Sequence, residues 1–79
     1  MSKYIIYGTA NCSFCVRAKE LCERTGVAYE YKELRSKEDL AEMQEKIGVS
    51  TRTVPQIIRM DDGFGEHIGG YTELSRLLS

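Results

Sequence analysis

Cys12 and Cys15 are the residues whose type and spacing most directly offer covalent chemistry, in the stretch Asn11-Cys12-Ser13-Phe14-Cys15 between an apolar run and an amphipathic one. Two cysteines so spaced at the start of a helix place both sulfurs at one helix end. There they can close a tight disulfide or pass a mixed disulfide between them. The first sulfur also faces the unsatisfied N–H groups of the first turn and the positive end of the helix dipole. Those donors favour thiolate over thiol, lower the pKa and produce a nucleophile near neutral pH. A Cys-x-x-Cys near a βαβ pattern is therefore a redox motif.

The elements that must hold this motif follow from the patterning. Lys3 to Tyr7 is a short apolar run ended by Gly8, as in a buried strand. From Ser13 to about Thr25, Phe14, Ala18, Leu21, Cys22 and Thr25 recur at helical spacing, and Gly26 is the stop. Ala28 to Leu34 alternates, Tyr29 and Tyr31 against Glu30 and Lys32, and is expected as a strand. Ser36-Lys37-Glu38-Asp39 has the form of a capping box and opens a helix carrying Leu40, Met43 and Ile47 as far as Gly48.

Val54 to Met60 is expected as the third strand, with the only proline of the chain, Pro55, at its head. Asp61 to Gly65 is expected as a hairpin connection into a short fourth strand, Glu66 to Ile68. Gly69-Gly70 then turns the chain, and Thr72 is the expected cap of a last helix holding Leu74, Leu77 and Leu78. The order β-α-β-α-β-β-α implies an α/β fold, a right-handed parallel βαβ unit followed by an antiparallel hairpin and a terminal helix. A four-stranded mixed sheet with helices on both faces buries these stripes most simply. The Cys12 turn then falls at the carboxyl end of the first strand, where open α/β sheets bind ligands.

Composition narrows the function classes. Residues 1–79 form a single small domain on this reading, with no repeat, linker or low-complexity segment. Eleven basic against twelve acidic residues give no electrostatic case for nucleic acid or an anionic membrane. The opening Met1-Ser2-Lys3 leads straight into Tyr4-Ile5-Ile6-Tyr7, too short for a signal segment or a membrane span. Three cysteines make an odd count, which argues against a framework of structural disulfides and for a reducing compartment, the cytoplasm. Zinc needs about four ligands, and the sequence has neither a second Cys-x-x-Cys nor a histidine pair to complete a site with Cys12 and Cys15.

Three stretches carry a family resemblance that spans nearly the whole chain. Cys12 to Lys19 (CSFCVRAK), Thr53 to Ile57 (TVPQI) and His67 to Glu73 (HIGGYTE) resemble the three signatures of the dithiol glutaredoxins, in the right order and spacing. The Val16-Arg17-Ala18-Lys19 continuation and the Gly-Gly-Tyr-Thr-acid turn are similar to the bacterial glutaredoxin 1 type. The resemblance implies a thioredoxin-like fold and a glutathione-dependent thiol–disulfide oxidoreductase acting on protein disulfides and glutathione mixed disulfides. Glutathione would be the reductant and co-substrate. The partners would be disulfide or glutathionylated proteins, with ribonucleotide reductase a candidate among them, and the protein would act as a monomer.

By the same resemblance Cys12 is the nucleophilic cysteine and Cys15 the resolving one. Pro55 matches a proline whose preceding peptide bond is cis in the family, an arrangement confined in practice to X-Pro. It would leave the Val54 N–H and C=O available for strand-like pairing with a substrate beside Cys12. Thr53 and Val54 match positions that contact the cysteinyl backbone of glutathione. Tyr71 and Thr72, after the Gly70 turn, match those that hold its γ-glutamyl carboxylate at a helix N-terminus. Arg52 is the nearest cation for the glycyl carboxylate.

Two departures from the family pattern stand beside these matches. Ser13 and Phe14 replace the usual Pro and Tyr, and Ser13 is expected to add a backbone N–H near the Cys12 sulfur. Thr9 stands where the family usually has Lys or Arg, and losing that cation is expected to raise the Cys12 pKa. The thiolate is expected to survive, because helix-end donors act at contact distance whereas a surface cation is screened. Two other functions remain open: a redoxin fed by thioredoxin reductase, which the Gly-Gly-Tyr-Thr turn disfavours, and a module holding an iron–sulfur cluster through Cys12 and glutathione, which Ser13 permits. Cys22 falls on the apolar stripe and is expected in the core. His67 is expected as a structural or exposed histidine, since nothing in sequence pairs it with Cys12.

Overall fold

The computed structural model describes residues 2–79. Its elements are β1 (Ser2–Gly8), α1 (Ser13–Thr25), β2 (Ala28–Glu33), α2 (Lys37–Ile47), β3 (Gln56–Asp61), β4 (Phe64–Gly69) and α3 (Tyr71–Leu78). They build the expected four-stranded mixed sheet, in the order β2-β1-β3-β4. β1 runs parallel to β2 and antiparallel to β3, and β4 returns antiparallel to β3.

Successive residues of a strand point to opposite faces, so the central strands are apolar on both. Tyr4, Ile6 and Ile57 pack on Ala18, Leu21 and Cys22 of α1 and Leu74 of α3. Tyr7 and Ile58, on the other face, pack on Met43 and Ile47 of α2. Each fully buried aliphatic side chain of this kind contributes about 1.5–3 kcal/mol. The α1–α3 layer, which carries the cysteine pair, is therefore the more firmly anchored of the two.

The main departures from the expected boundaries each have a local reason. β3 starts at Gln56 rather than Val54, its first pairing being Tyr7 with Gln56. Pro55 has no N–H to donate and stays off the ladder. The hairpin is tighter than expected, because Asp62 (φ 51°) and Gly63 (φ 89°) both adopt the left-handed conformation of a two-residue turn. β4 is correspondingly longer, running from Phe64 to Gly69.

α3 starts at Tyr71, with Gly70 rather than Thr72 at the N-cap. The Glu73 carboxylate supplies the capping contact, accepting the Gly70 N–H at 2.7 Å. Ser36 caps α2 as expected, accepting from Asp39 N–H at 3.2 Å. The reciprocal bond lands one residue early, since the Asp39 carboxylate takes the Arg35 N–H at 2.8 Å.

Candidate redox-active site

The chain leaves β1 at Gly8 and enters α1 with Cys12 as the N-cap, in extended backbone at φ −111° and ψ 109°. N-cap positions ordinarily hold an oxygen side chain that accepts an orphan amide of the first turn. Here a sulfur does so, accepting the Cys15 N–H on Cys12 Sγ at 3.1 Å. No acidic residue stands in the first turn of α1 to oppose a negative charge there. Ser13 was expected to add the extra donor; the amide that reaches the sulfur is that of Cys15.

Cys12 and Cys15 form a disulfide, with their Cα atoms 5.2 Å apart. Cys12 is partly exposed and Cys15 fully buried, so an incoming disulfide meets Cys12 first. The Val54 carbonyl oxygen lies 3.8 Å from Cys12 Sγ. In the reduced state it can accept from the thiol and so works against the thiolate. The Cys15 amide is closer, and it acts in the same direction as the helix dipole.

Beside this sulfur runs a groove of about 310 Å³. One edge is the segment Thr53-Val54-Pro55, whose Val54–Pro55 peptide bond is cis. The opposite edge is Gly70-Tyr71-Thr72, at the start of α3. A β-carbon on Gly70 would lie 3.3 Å from the Pro55 carbonyl oxygen, so the two edges meet backbone to backbone. Phe14 closes one end, its ring centroid 6.0 Å from that of Tyr71 and 5.2 Å from the Arg17 guanidinium.

Six residues singled out in sequence, Thr53, Val54, Pro55, Gly70, Tyr71 and Thr72, thus line one groove next to Cys12. Arg52 does not join them. It lines a neighbouring groove of about 470 Å³ with Thr9, Leu34, Arg35, Lys37 and Leu40. The cation missing at Thr9 therefore has Arg35, Lys37 and Arg52 around the same hollow, with Arg35 partly neutralised by Glu33 at 2.6 Å. The Thr9 carbonyl is held by the Tyr31 hydroxyl, which donates to it at 2.9 Å.

Gln56 and Glu73 also line the first groove and were not singled out from sequence. Gln56 is a polar residue directly before the apolar pair Ile57-Ile58, and Glu73 an acid in the third position of a helix after Gly-Gly; both are visible signals. The Gly70 amide holds the Glu73 carboxyl below the usual carboxylate range, helped by the residue's own amide and by the charges of Arg76 and His67. Cys22 is in the core as expected, and burial pushes its thiol up to about 11, so it stays protonated and inert. No helix among the described residues is long and apolar enough to cross a membrane.

Comparison with known proteins agrees with this geometry. The family model described as Glutaredoxin matches residues 4–64. Glutaredoxin 1 of Escherichia coli is 41% identical over 80 residues, covering 90% of this chain and 86% of that protein. The crystal structure of glutaredoxin 1 from Francisella tularensis, complexed with cacodylate, matches with a TM-score of 0.73 and 30% identity over 96% of this chain and 91% of its own. The buckwheat glutaredoxin–glutathione complex matches with a TM-score of 0.69 and 26% identity over 95% of this chain and 66% of its own. These neighbours share the thioredoxin-like arrangement of mixed sheet and flanking helices, and sequence and fold point the same way. The disulfide at the head of α1 is a thiol–disulfide exchange centre, and the chain belongs to the glutaredoxin family of thiol–disulfide oxidoreductases.

Proposed function

We propose that this protein is a glutathione-dependent reductant of protein disulfides and of glutathione mixed disulfides. It acts as a single domain, in the cytoplasm and as a monomer. The observation that carries this reading is the groove beside Cys12, bounded by Thr53-Val54-Pro55 and Gly70-Tyr71-Thr72. A structural neighbour is itself a complex with glutathione, which supports the same ligand class here.

Two routes share the first step, attack of the Cys12 thiolate on a disulfide sulfur. With a glutathione mixed disulfide, Cys12 takes the glutathionyl group and the protein leaves as a thiolate. A second glutathione thiolate then attacks the glutathionyl sulfur, releases glutathione disulfide and restores Cys12. With a protein disulfide, Cys12 bonds one protein sulfur and frees the other. Cys15 then attacks Cys12 Sγ, closing the Cys12–Cys15 disulfide and releasing the protein as a dithiol. Two glutathione molecules reopen that bond. Thr53 and Val54 hold the peptide backbone of glutathione, Tyr71 and Thr72 its γ-glutamyl carboxylate. Arg52, with Arg35 and Lys37 around the adjoining hollow, attracts the glycyl carboxylate.

Ribonucleotide reductase is the protein disulfide to assay first. The deciding assay follows NADPH consumption on a glutathionylated peptide, once with glutathione and glutathione reductase and once with thioredoxin reductase alone. The glutathione-fed rate should exceed the other by about tenfold or more. Turnover sustained by thioredoxin reductase and not by glutathione would overturn the proposal. A brown dimer after anaerobic iron and sulfide reconstitution would instead favour a cluster-binding module.

A further inference from the structure

His67 and Gln56 take no part in the thiol chemistry, yet an unbroken run of hydrogen bonds joins them to the edge beside Cys12. His67, the only histidine of the chain, lies on β4 with Nε2 2.7 Å from Gln56 Oε1. Gln56 opens β3 and is 9% exposed. Its Nε2 lies 2.9 Å from the Thr53 carbonyl oxygen and 2.9 Å from Thr53 Oγ1. Thr53 is tied further back: its N–H donates to Thr51 Oγ1 at 3.2 Å and the two hydroxyls are 2.9 Å apart.

The chemistry of the partners sets the direction of the bonds at Gln56. A carbonyl oxygen only accepts, so the Gln56 atom facing Thr53 is the NH₂ group. That leaves the Gln56 oxygen toward His67, whose Nε2 must carry a hydrogen and donate it. Thr53 Oγ1 accepts from Gln56 and shares a hydrogen bond with the Thr51 hydroxyl. Both ends of a buried amide are thus satisfied by residues brought together from β4 and from the loop before β3. A buried amide deprived of one of these partners must turn or go unpaired.

We propose that Gln56 and His67 are positioning residues for the exchange reaction. Together they hold Thr53, and with it Val54, in the orientation that presents this edge to a disulfide-bearing substrate. The proposal rests on the reading of Thr53 and Val54 as the docking edge. The Val54 carbonyl at 3.8 Å from Cys12 Sγ shows how closely that edge and the reacting sulfur are registered. Only Pro55 separates Val54 from Gln56, so a rotation at Gln56 is transmitted over a single residue.

The test compares His67→Leu, Gln56→Leu, the double variant and His67→Gln in reduction of a disulfide-bonded peptide by dithiothreitol. No glutathione is present, so the outcome is separate from whether glutathione is the natural reductant. Losing one hydrogen bond in the relay should raise KM about three- to tenfold in His67→Leu, with kcat within about twofold. Gln56→Leu should do at least as much, and the double variant no more than Gln56→Leu alone, because the two residues act in series. His67→Gln keeps an amide donor and should return KM to within about twofold of the parent. Iodoacetamide should alkylate Cys12 at the parent rate in all of them. An unchanged KM in His67→Leu, losses that multiply in the double variant, or no rescue by His67→Gln would overturn the proposal. Should Gln56→Leu fail to fold, the exposed His67 pair decides alone.

Discussion

Gly8 and Cys15 touch where β1 hands the chain to the redox helix: a β-carbon on Gly8 would stand 2.7 Å from Cys15 Sγ and 2.5 Å from the Tyr31 hydroxyl. Cys15 is fully buried, and the Gly8 carbonyl is itself engaged by the Leu34 N–H at 2.8 Å. Neither neighbour can retreat without moving the sheet or the head of α1. Gly8→Ala should therefore destabilise the oxidised protein by roughly 1–3 kcal/mol, the usual cost of overpacking. Urea unfolding should show a lower midpoint with an unchanged slope. An unaltered midpoint would mean that the Cys15 side chain yields cheaply.

Exposure divides the labour between the two sulfurs. Cys12→Ser should abolish all thiol transfer, since it removes the one sulfur that faces the groove edge. Cys15→Ser should abolish reduction of protein disulfides and retain much of the deglutathionylation, because a second glutathione can replace the missing thiol. Parallel assays on a protein disulfide and a glutathionylated peptide check this; equal losses in both variants on both substrates would contradict the two routes.

Ser13→Pro is expected to be quiet in chemistry and favourable in stability. The amide on the sulfur belongs to Cys15, so removing the Ser13 N–H should leave the pH midpoint of Cys12 alkylation within about half a unit. Ser13 is the first helical residue, where proline fits, and Cys12 already has the extended backbone that a residue before proline requires. Stability should rise by about 0.4–1 kcal/mol through the unfolded chain. A marked rise in the alkylation midpoint would show that Ser13 contributes a donor after all.

Cys22 makes stability fall at alkaline pH. Burial raises its thiol in the folded protein from 9.0 to about 11, so the folded state disfavours the thiolate that the unfolded chain readily forms. The sign follows: this contribution is fully present below the unfolded value and is lost as pH climbs through the window from about 9 to about 11. Urea midpoints of the oxidised protein should decline more steeply across that window than those of Cys22→Ala, the variant cancelling the background from tyrosines. Cys22 of the reduced native protein should also stay unreacted with a thiol reagent that modifies it in denaturant.

Much of this molecule was decided by short-range rules that can be read off the chain. The stop of α1 at Gly26 and of α2 at Gly48, both left-handed, and the placement of Cys12 at a helix head depend only on neighbours a few residues away. The cysteine pair was legible for the same reason, because both sulfurs and the Cys15 amide lie within one turn. What the tertiary structure decided are the relations between distant residues. The pairing of Tyr7 with Gln56 brings the Val54 edge to Cys12, and that of Ile58 with His67 delivers a histidine to Gln56. Arg52 turns into the hollow beside Thr9 rather than the groove of its neighbour Thr53, and Glu73 takes the cap that Thr72 was expected to provide. Strand register and loop direction depend on which distant apolar faces and turns come together, a relation that no short stretch of residues states by itself.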